Sequence, residues 1–373
     1  LVEGSSVTLQ GWVRALRIQA KMAFLTVNDG SSVQSAQVVV PTAIAKDLVD
    51  SHGLATGACV SVVGSVQKAR GSNGGWEIKI VDDENSVSVL GASSAATYPL
   101  QKKFHSPEFL RDLAHLRCRT SLHSSVIRSR NVLMQALHGY LQERHFLQVQ
   151  TPVLTSSDCE GAGEMFRVDA PGSEDFFGTQ AHLTVSGQLH AEIYACGMSR
   201  VYTMGPTFRA ENSNTSRHLS EFWMLEPEMA FCSLSECADL AEGALKHALS
   251  AFLNDCEEEM AFFSDHHGGV DLERMLTDIV QRDAFARIPY TEAIDILKQS
   301  REDFEHPVQW GCDLQSEHER YIAEVYIGGP AIITDYPAEI KPFYMRQNDD
   351  GKTVAAMDLI VPRIGELVGG SAR

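Results

Sequence analysis

The 373-residue sequence has no Cys-x-x-Cys pair, no apolar run long enough to span a bilayer and no recognisable secretory signal. Its eight cysteines are scattered, which argues against a zinc ribbon or a disulfide framework and for a reducing compartment. No membrane segment is expected. Without a secretory signal we expect a cytoplasmic protein. Because the sequence opens on Leu1 rather than Met, a mitochondrial or plastid protein is expected instead if a targeting segment precedes Leu1.

Basic side chains are also scarce, with 31 Lys and Arg against 49 Asp and Glu and a net charge of −18. Such a balance disfavours nucleic-acid binding unless the charges are segregated along the chain. They are segregated: residues 1–92 carry 7 basic and 8 acidic side chains, residues 93–150 carry 8 and 3, and residues 151–373 carry 16 and 38. The middle stretch is therefore positive by 5 (8 − 3), and an RNA contact by the first half is permitted.

Residues 1–92 contain five short segments in which β-branched and polar side chains alternate, as strands do. These segments are 7–13, 23–27, 36–40, 58–63 and 76–81, with a short helix expected around Lys46–Val49. Five strands with a helix in that place fit an OB-fold barrel, whose open face commonly binds oligonucleotides. A small β-barrel with another role remains open at this point.

The following segments predict a helical and mixed second part. A small, polar linker covers 93–118, and a helix beginning at Ser125 has Val126, Leu133, Leu137 and Tyr140 on one face. A strand over 146–154 contains Pro152, which belongs at a sheet edge or a subunit contact because proline cannot donate to a ladder. Helices are expected at 234–253, 272–280 and 290–297 within an insertion over about 232–330, and strands at 341–346 and 353–361.

The most informative stretch, Phe208–Glu228, predicts two strands joined by a long polar loop. Alternation places Arg209 and Glu211 on one face, and Phe222, Met224, Glu226 and Glu228 on one face of the returning strand. Burying those charges without partners would be costly, so the face is expected to line a polar ligand site. The loop residues Arg217 and His218 are donors of the kind that hold phosphates. A solvated hairpin with surface ion pairs is the alternative.

Three further groups of polar residues are candidates for binding a ligand or a metal ion. Glu160 lies in an acidic, glycine-containing loop that suits an ammonium ligand, although an ordinary surface turn explains it equally. Ser186, Gln188 and Glu192 should converge where a strand gives way to a helix, and a helix cap at Ser186 is the alternative. Asp358 and Glu366 could share a hard cation such as Mg²⁺, and ion pairing with Lys341 or Arg363 is the alternative.

Taken together, these motifs resemble those of the class II aminoacyl-tRNA synthetases. The stretch Phe208–Glu228 resembles motif 2 of that class and, in detail, that of the asparaginyl-tRNA synthetases. The resemblance implies an α+β protein with a five-stranded OB-fold anticodon-binding barrel (1–92), a hinge (93–118) and an antiparallel-sheet catalytic domain flanked by helices (119–373). It also implies that Phe24 and Gln37 contact RNA on the open face of the barrel.

The resemblance implies a role for each candidate residue. ATP would be bound by Arg209, Glu211, Arg217, His218, Phe222 and Glu366, with Arg209 also catalytic and Phe222 stacked on adenine. Asparagine would be bound by Glu160, Ser186, Gln188, Glu192, Glu226 and Arg373. Asp358 and Glu366 would bind Mg²⁺, and Pro152 would lie in motif 1 at the interface of a homodimer. The partners implied are L-asparagine, ATP and tRNA(Asn).

The choice of amino acid depends on two adjacent positions. The aspartyl enzymes place a lysine three residues after the glutamine equivalent to Gln188, whereas this sequence has Ala191 followed by Glu192. An amide NH₂ needs an acceptor such as Glu192, and a substrate carboxylate would be repelled by it, so asparagine is favoured over aspartate. An aspartyl enzyme, a synthetase-like asparagine synthetase and a non-catalytic RNA-binding paralogue are the alternatives.

One departure from the family concerns its ends. The family continues to motif 3, whose arginine clamps ATP, whereas this sequence stops at Arg373. We therefore expect residues 1–373 alone to bind ATP poorly or to fold their last strands incompletely.

Overall fold

The structure is a computed structural model that describes residues 2–69, 75–80, 86–159, 165–172, 175–212 and 219–373. These residues form two compact units, Leu1–Val132 with Phe252–Glu273, and Leu133–Ala251 with Arg274–Arg373. Each unit is described by itself below.

The described residues contain strands and helices in mixed order. The strands are β1 (Ser6–Ile18), β2 (Met22–Asn28), β3 (Ala36–Pro41), β4 (Cys59–Lys68), β5 (Trp76–Lys79), β6 (Val87–Gly91), β7 (Leu147–Gln148), β8 (Leu154–Thr155), β9 (Arg167–Val168), β10 (Ala181–Leu183), β11 (Arg200–Phe208), β12 (Glu221–Met229), β13 (Ala286–Pro289), β14 (Ala331–Pro337), β15 (Thr353–Val361) and β16 (Gly365–Ser371). The helices are α1 (Thr42–His52), α2 (Pro107–Asp112), α3 (Ala114–Arg117), α4 (Ser121–Glu143), α5 (Gln188–Met198), α6 (Leu234–Asp255), α7 (Glu257–His266), α8 (Leu272–Val280), α9 (Tyr290–Gln299) and α10 (Ser316–Arg320). A π-helical turn (Tyr321–Tyr326) continues α10, and a 3₁₀ turn (Ala338–Ile340) follows β14.

The first unit contains a closed five-stranded barrel in the order β1-β2-β3-β5-β4, closed by pairing of β1 with β4. Inward-facing side chains fill it because alternate residues of every strand are apolar: Val13, Leu25, Val27, Val38, Val60 and Val62 are almost fully buried. The helix α1 lies between β3 and β4 in the sequence. The predicted OB-fold is confirmed, and a sixth strand, β6, adds to β4 outside the closed barrel.

The helix α4 was predicted with Val126 on its buried face, and this is wrong. Val126 is 40% exposed, whereas Ser125 and Ser129 are buried. The small serine side chains allow close approach of neighbouring groups, so hydrophobicity alone indicated the wrong face at this end of the helix. Leu133 and Leu137 are half-buried and Tyr140 is buried, as the spacing predicted.

The second unit holds three sheets, β12-β11-β7, β13-β14-β15-β16 and β8-β10-β9. Their pairings are antiparallel except for β7 with β11 and β13 with β14. The sheet containing β15 has the largest core: β15 is buried over its whole length and packs with α9 and β14. The predicted α+β fold with an antiparallel catalytic sheet flanked by helices is confirmed.

Two predicted strands of this unit are interrupted by proline. The 146–154 stretch forms only the short strands β7 and β8, with exposed Pro152 between them outside any ladder. Residues 341–346 form turns instead of a strand, because Pro342 removes a donor and is followed by a turn at Phe343 and Tyr344.

The helices predicted in the 232–330 region are confirmed as α6, α8 and α9. The same region also supplies β13, which pairs with β14, so it contributes directly to a sheet. No helix in the described part of the chain is long and apolar enough to cross a membrane.

Candidate active site

The hairpin of β11 and β12 organises the polar residues of the second unit. Its strands pair without a break from Arg200 to Phe208. Arg209 follows β11 directly, and its amide donates to the Ser220 carbonyl at 3.1 Å. The two strands therefore form as predicted, but Arg209 and Glu211 lie beyond the end of β11, so strand alternation does not place their side chains on one face as expected.

Arg209 and Phe222, both predicted to bind ATP, lie together. The guanidinium carbon of Arg209 is 5.5 Å from the centroid of the Phe222 ring. A guanidinium over an aromatic face is attracted by the ring quadrupole, so each side chain restricts the orientation of the other. Glu211 lies two residues further along, outside the strand. Arg217 and His218 lie outside the described residues.

A tight turn joins β10 to α5 and is fixed by Glu226 from β12. One Glu226 oxygen accepts from the Ser186 hydroxyl, and the other accepts from the Gly187 amide at 2.9 Å. Ser186 Oγ in turn accepts from the Gln188 amide at 3.1 Å. The N-cap position of α5 is Gly187, without a side-chain cap, so the helix cap at Ser186 that was the alternative does not form. Only glycine fits at 187, because a Cβ there would lie 2.5 Å from Thr151 Oγ1.

The Glu226 carboxylate is thus held between backbone and side-chain donors in a confined place. Burial raises the pKa of Glu226 above its usual range, and the hydrogen bonds from Ser186 and Gly187 partly oppose this effect. A half-buried carboxylate in this state is suited to bind a cationic ligand, since an ammonium group would favour its charged form.

Gln188, Glu192 and Arg373 form one hydrogen-bonded group. Glu192 Oε1 accepts from Gln188 Nε2 at 2.9 Å and from Arg373 Nε at 2.7 Å. The first contact joins residues one helical turn apart, as predicted. The second joins α5 to the end of the chain, where the Arg373 guanidinium carbon also lies 4.8 Å from the Tyr344 ring centroid.

Glu228, which was not among the predicted ligands, belongs to this group. Its Oε1 accepts from Arg373 Nη2 at 3.4 Å. Burial raises the pKa of Glu228 to about 7; Arg373 opposes the rise, while Glu192 and Glu226 add to it. Burial alone would lower the pKa of Arg373, but Glu228 and Glu192 raise it above its usual value. The alternation of β12 was the available signal, since it put Glu228 on the same face as Glu226.

Ala191 does not line this group. Its side chain is fully buried against Ala195 and Val201, so it belongs to the packing of α5 on β11. The charged side chain of α5 that lies beside Gln188 is therefore Glu192.

Asp358 and Glu366, the predicted metal ligands, lie on neighbouring strands. A Cβ at Gly369 would be 3.1 Å from Glu366 Oε1 and 3.6 Å from Asp358 Oδ1, so both oxygens are directed at the same side of the sheet. Asp358 is in the middle of β15 and not near its end as expected, and a bulge in the β15–β16 pairing follows it. Its other oxygen accepts from Lys341 Nζ at 2.6 Å, so the ion pair considered as the alternative also exists.

This acidic pair carries more negative charge than Lys341 neutralises. The pKa of Glu366 is raised to about 7, mainly by burial and next by Asp358; Lys341 opposes the rise and Glu319 adds to it. Burial and the adjacent Asp358 raise the pKa of Tyr336. Lys341 had been considered only as the alternative ion-pair partner, and Tyr336 was not predicted, because no sequence pattern indicates that Tyr336 lies next to Asp358.

The barrel carries a separate candidate face for RNA in the first unit. Phe24 lies under the Arg17 guanidinium at 4.9 Å, and Gln37 Nε2 donates to Glu77 Oε2 at 3.3 Å. Gln37 and Glu77 are opposite each other on the parallel strands β3 and β5. Sequence reasoning missed Glu77, whose polarity on an alternating strand was the available signal.

Both the barrel and the synthetase part of the chain are similar to known protein families. The family model of class II tRNA synthetases (D, K and N) matches residues 106–373, and that of the OB-fold nucleic acid binding domain matches residues 7–85. The chain is 49% identical to an asparagine–tRNA ligase of Thermosynechococcus vestitus, over 99% of this chain and 82% of that protein. It is 51% identical to one of Desulfotalea psychrophila, over 100% and 82%.

A solved structure with a similar fold is the asparaginyl-tRNA synthetase of Pyrococcus horikoshii complexed with asparaginyl-adenylate. Its TM-score is 0.86 at 30% identity, and the match covers 99% of this chain and 80% of that one. The protein is thus an enzyme of the class II aminoacyl-tRNA synthetases. Within that class, the chain belongs to the asparagine–tRNA ligase family, which confirms the predicted resemblance and favours it over the aspartyl alternative.

Proposed function

We propose that the protein activates L-asparagine with ATP and transfers it to the 3′ end of tRNA(Asn). The observation that carries this proposal is the side-chain group of Gln188, Glu192, Glu228 and Arg373, which offers both a donor and acceptors to a carboxamide. Hydrogen bonds link this group through Gln188 to Ser186 and Glu226, the other residues proposed to bind asparagine. Glu160 lies outside the described residues.

In the first step an oxygen of the asparagine carboxylate attacks the α-phosphorus of ATP. A new phosphorus–oxygen bond forms to the carboxylate, the bond to the bridging oxygen breaks, and pyrophosphate leaves with its electron pair. Catalysis is then mainly positioning and charge neutralisation. Arg209 supplies the positive charge at the α-phosphate, and Phe222 beside it supplies an aromatic face for adenine.

The substrate ammonium group is assigned to the turn before α5. Hydrogen bonds from the Ser186 hydroxyl and the Gly187 amide already orient the Glu226 carboxylate, so it is preorganised to accept from the ammonium group. Gln188, at the start of the same helix, would bind the backbone end of the amino acid.

The substrate carboxamide is assigned to the opposite side of this group. Arg373 would donate to the amide oxygen, and Glu192 or Glu228 would accept from the amide NH₂. A second carboxylate, as in aspartate, would meet two glutamates of like charge and only one guanidinium, which disfavours it.

The acidic pair is assigned to Mg²⁺. Asp358 Oδ1 and Glu366 Oε1 fit a hard cation, and the raised pKa of Glu366 indicates uncompensated negative charge there. Among the described residues no group of three or more His, Cys, Asp and Glu side chains is placed to hold a metal, so phosphate and water oxygens would complete the shell. When bound, Mg²⁺ would neutralise phosphate charge, and Lys341 would hold Asp358 in place.

In the second step a hydroxyl of the terminal ribose of tRNA attacks the asparaginyl carbonyl carbon, an ester forms and AMP leaves. The barrel is assigned to the anticodon, with Phe24 available for stacking and Gln37 for hydrogen bonding. The OB-fold match over residues 7–85 supports this assignment.

The protein is also proposed to be a homodimer through the segment around Pro152. Leu147 and Leu154 flank this proline and are 53% and 45% exposed, although both are large apolar residues on short strands. Burial against a second copy would remove that apolar surface from water.

The test is amino-acid-dependent exchange of pyrophosphate into ATP by the full-length enzyme. Asparagine should support exchange, and aspartate should be at least about a hundredfold poorer because its carboxylate leaves buried charges unpaired. Exchange with aspartate instead would keep the class and overturn the assignment of the carboxamide group. A folded protein without exchange on either amino acid would favour the RNA-binding paralogue.

A further inference from the structure

Two threonine hydroxyls lie beside the turn that joins β10 to α5. Thr151 Oγ1 and Thr203 Oγ1 are 3.2 Å apart, and we call these two residues the threonine pair. A Cβ placed on Gly187 would lie 2.5 Å from Thr151 Oγ1 and 2.9 Å from Thr203 Cγ2. The same Cβ would lie 3.1 Å from Glu226 Oε2. The threonine pair and the Glu226 carboxylate therefore face the same small space beside the Gly187 backbone.

Thr203 is placed by the hairpin of β11 and β12. It lies directly opposite Glu226 in the strand pairing and is 4% exposed. Directly opposite residues of antiparallel strands point to the same face of the sheet, so their side chains are neighbours. The hydroxyl of Thr203 is therefore buried on the face of the hairpin that also carries the Glu226 carboxylate.

Thr151 lies in a segment that is bonded on both sides of it. The Val149 amide donates to the Tyr202 carbonyl of β11 at 2.9 Å. The Thr184 amide, directly after β10, donates to the Val153 carbonyl at 2.9 Å. Because these bonds attach the segment to β11 and to the end of β10, the Thr151 hydroxyl has a defined position relative to the turn.

Gly187 needs support from its neighbours because glycine has more backbone freedom than any other residue. Its amide donates to Glu226 Oε2 at 2.9 Å, which is one of the two bonds that orient the carboxylate. A shift of the Gly187 backbone would lengthen this bond and let the carboxylate rotate about its remaining bond to the Ser186 hydroxyl. Packing of the threonine pair against Gly187 opposes such a shift.

We propose that the threonine pair positions the site for the α-ammonium group of the amino-acid substrate. It holds Gly187, and through Gly187 the Glu226 carboxylate, in the orientation that receives the ammonium group. This rests on the proposed function, which assigns that group to Glu226. A carboxylate that is already oriented binds its ligand more tightly, because less freedom is lost on binding. Thr151 and Thr203 are positioning residues, since they act through the turn and not on the reacting atoms.

The test is Thr203→Val in the full-length enzyme, which keeps the shape of the side chain and removes its hydroxyl. The KM for asparagine in pyrophosphate exchange should rise about three- to tenfold, the loss of one neutral hydrogen bond. The kcat and the KM for ATP should be unchanged, because binding of the ammonium group contributes equally before and during the reaction. Thr203→Ser retains the hydroxyl and should restore most of the affinity for asparagine.

A second measurement separates the ammonium group from the rest of the substrate. Succinamate is asparagine without its α-amino group, and its inhibition constant against asparagine should be the same in wild type and Thr203→Val. A general distortion of the site would weaken both ligands, whereas a loss of ammonium positioning weakens asparagine alone. Equal weakening of both ligands would overturn the proposal.

Thr207→Val is the matched control. Thr207 is 2% exposed, lies four residues further along β11, and its hydroxyl donates to the Phe222 carbonyl at 3.4 Å. Its removal should leave the KM for asparagine unchanged. Thr151→Val should match Thr203→Val, and the double variant should be no worse than either single one because all three lose the same bond.

Two results would contradict this role of the threonine pair. One is a KM for asparagine in Thr203→Val equal to that of the wild type, and the other is an equal rise in Thr207→Val. Absence of exchange in the wild-type enzyme would instead count against the proposed function.

Discussion

At the scale of single residues, Glu228 has the most constrained environment in the candidate site. Its side chain is 15% exposed, with Glu192 and Glu226 as like-charged neighbours and Arg373 as its cationic partner. Its pKa of about 7 means that it changes charge within the working pH range of an enzyme. An ionised Glu228 accepts hydrogen bonds on both oxygens, whereas the protonated form is a weaker acceptor.

We therefore expect the KM for asparagine in pyrophosphate exchange to rise as the pH falls from 8 to 6. Lowering the pH protonates Glu228 and weakens the acceptor for the substrate amide. Glu228→Gln should raise KM about tenfold at pH 8, the loss of one charged hydrogen bond, and should remove this pH dependence. Glu236→Gln, which alters an exposed glutamate with a lowered pKa, is the control. A wild-type KM that is the same at both pH values would refute the role of Glu228.

The contacts that sequence could anticipate are local ones. Gln188 and Glu192 are four residues apart on one helix, so their contact follows from helical geometry. The bond from Arg373 to Glu192 spans 181 residues and depends on how the strands are ordered in the sheets. Without the family resemblance, no pattern in the sequence indicates that these two residues meet.

At the scale of secondary-structure elements, α4 and α6 meet at a glycine. Tyr140 of α4 is buried, and its hydroxyl lies where a Cβ at Gly243 of α6 would be. The glycine costs helix stability in isolation, since it has the lowest helix propensity after proline. Here the lack of a side chain at Gly243 leaves room for Tyr140 to pack against α6.

Gly243→Ala should therefore destabilise the protein by about 1–3 kcal/mol, the usual range for overpacking, despite the better helix propensity of alanine. Gly139→Ala in α4 is the matched control, because a Cβ there meets nothing within 4 Å. That change should be neutral or should stabilise by about 0.5–1 kcal/mol. Both are measured by urea unfolding. Adding Tyr140→Phe to Gly243→Ala should recover part of the loss, and a stabilising Gly243→Ala would contradict the packing described.

The predictions of helix faces and strands failed where something other than hydrophobicity determined burial or strand pairing. At the start of α4 the buried positions are Ser125 and Ser129, so an apolar pattern could not identify the face. Around Pro152 and Pro342 the apolar content suggested strands, but missing amide donors prevented ladders from forming. The barrel strands were predictable because their two-residue alternation reports burial directly.

At the scale of the whole molecule, the charge distribution has to be reconciled with a polyanionic substrate. Residues 151–373 carry 16 basic and 38 acidic side chains, which repel tRNA, while residues 93–150 have an excess of 5 positive charges (8 − 3). Binding of tRNA should then depend on a few well-placed cations against a repulsive background. Lys102 and Lys103 are adjacent, exposed members of the positive stretch.

Reversing both charges, with Lys102→Glu and Lys103→Glu, should weaken tRNA(Asn) binding without affecting pyrophosphate exchange. If each lysine neutralises one phosphate, the slope of log K against log salt should become shallower by about 1.5, since each contact releases counterions. The deficit should shrink as salt rises because exposed charges are screened. Lys298→Glu, an exposed lysine of α9 in the acid-rich part, is the control and should leave the slope unchanged. The double change lowers the net charge by 4 and the control lowers it by 2, so an effect of the control about half as large would mean that tRNA responds to net charge alone. An effect confined to residues 102 and 103 would mean that the positive connecting stretch contacts the phosphate backbone, which is how an acidic enzyme can bind RNA.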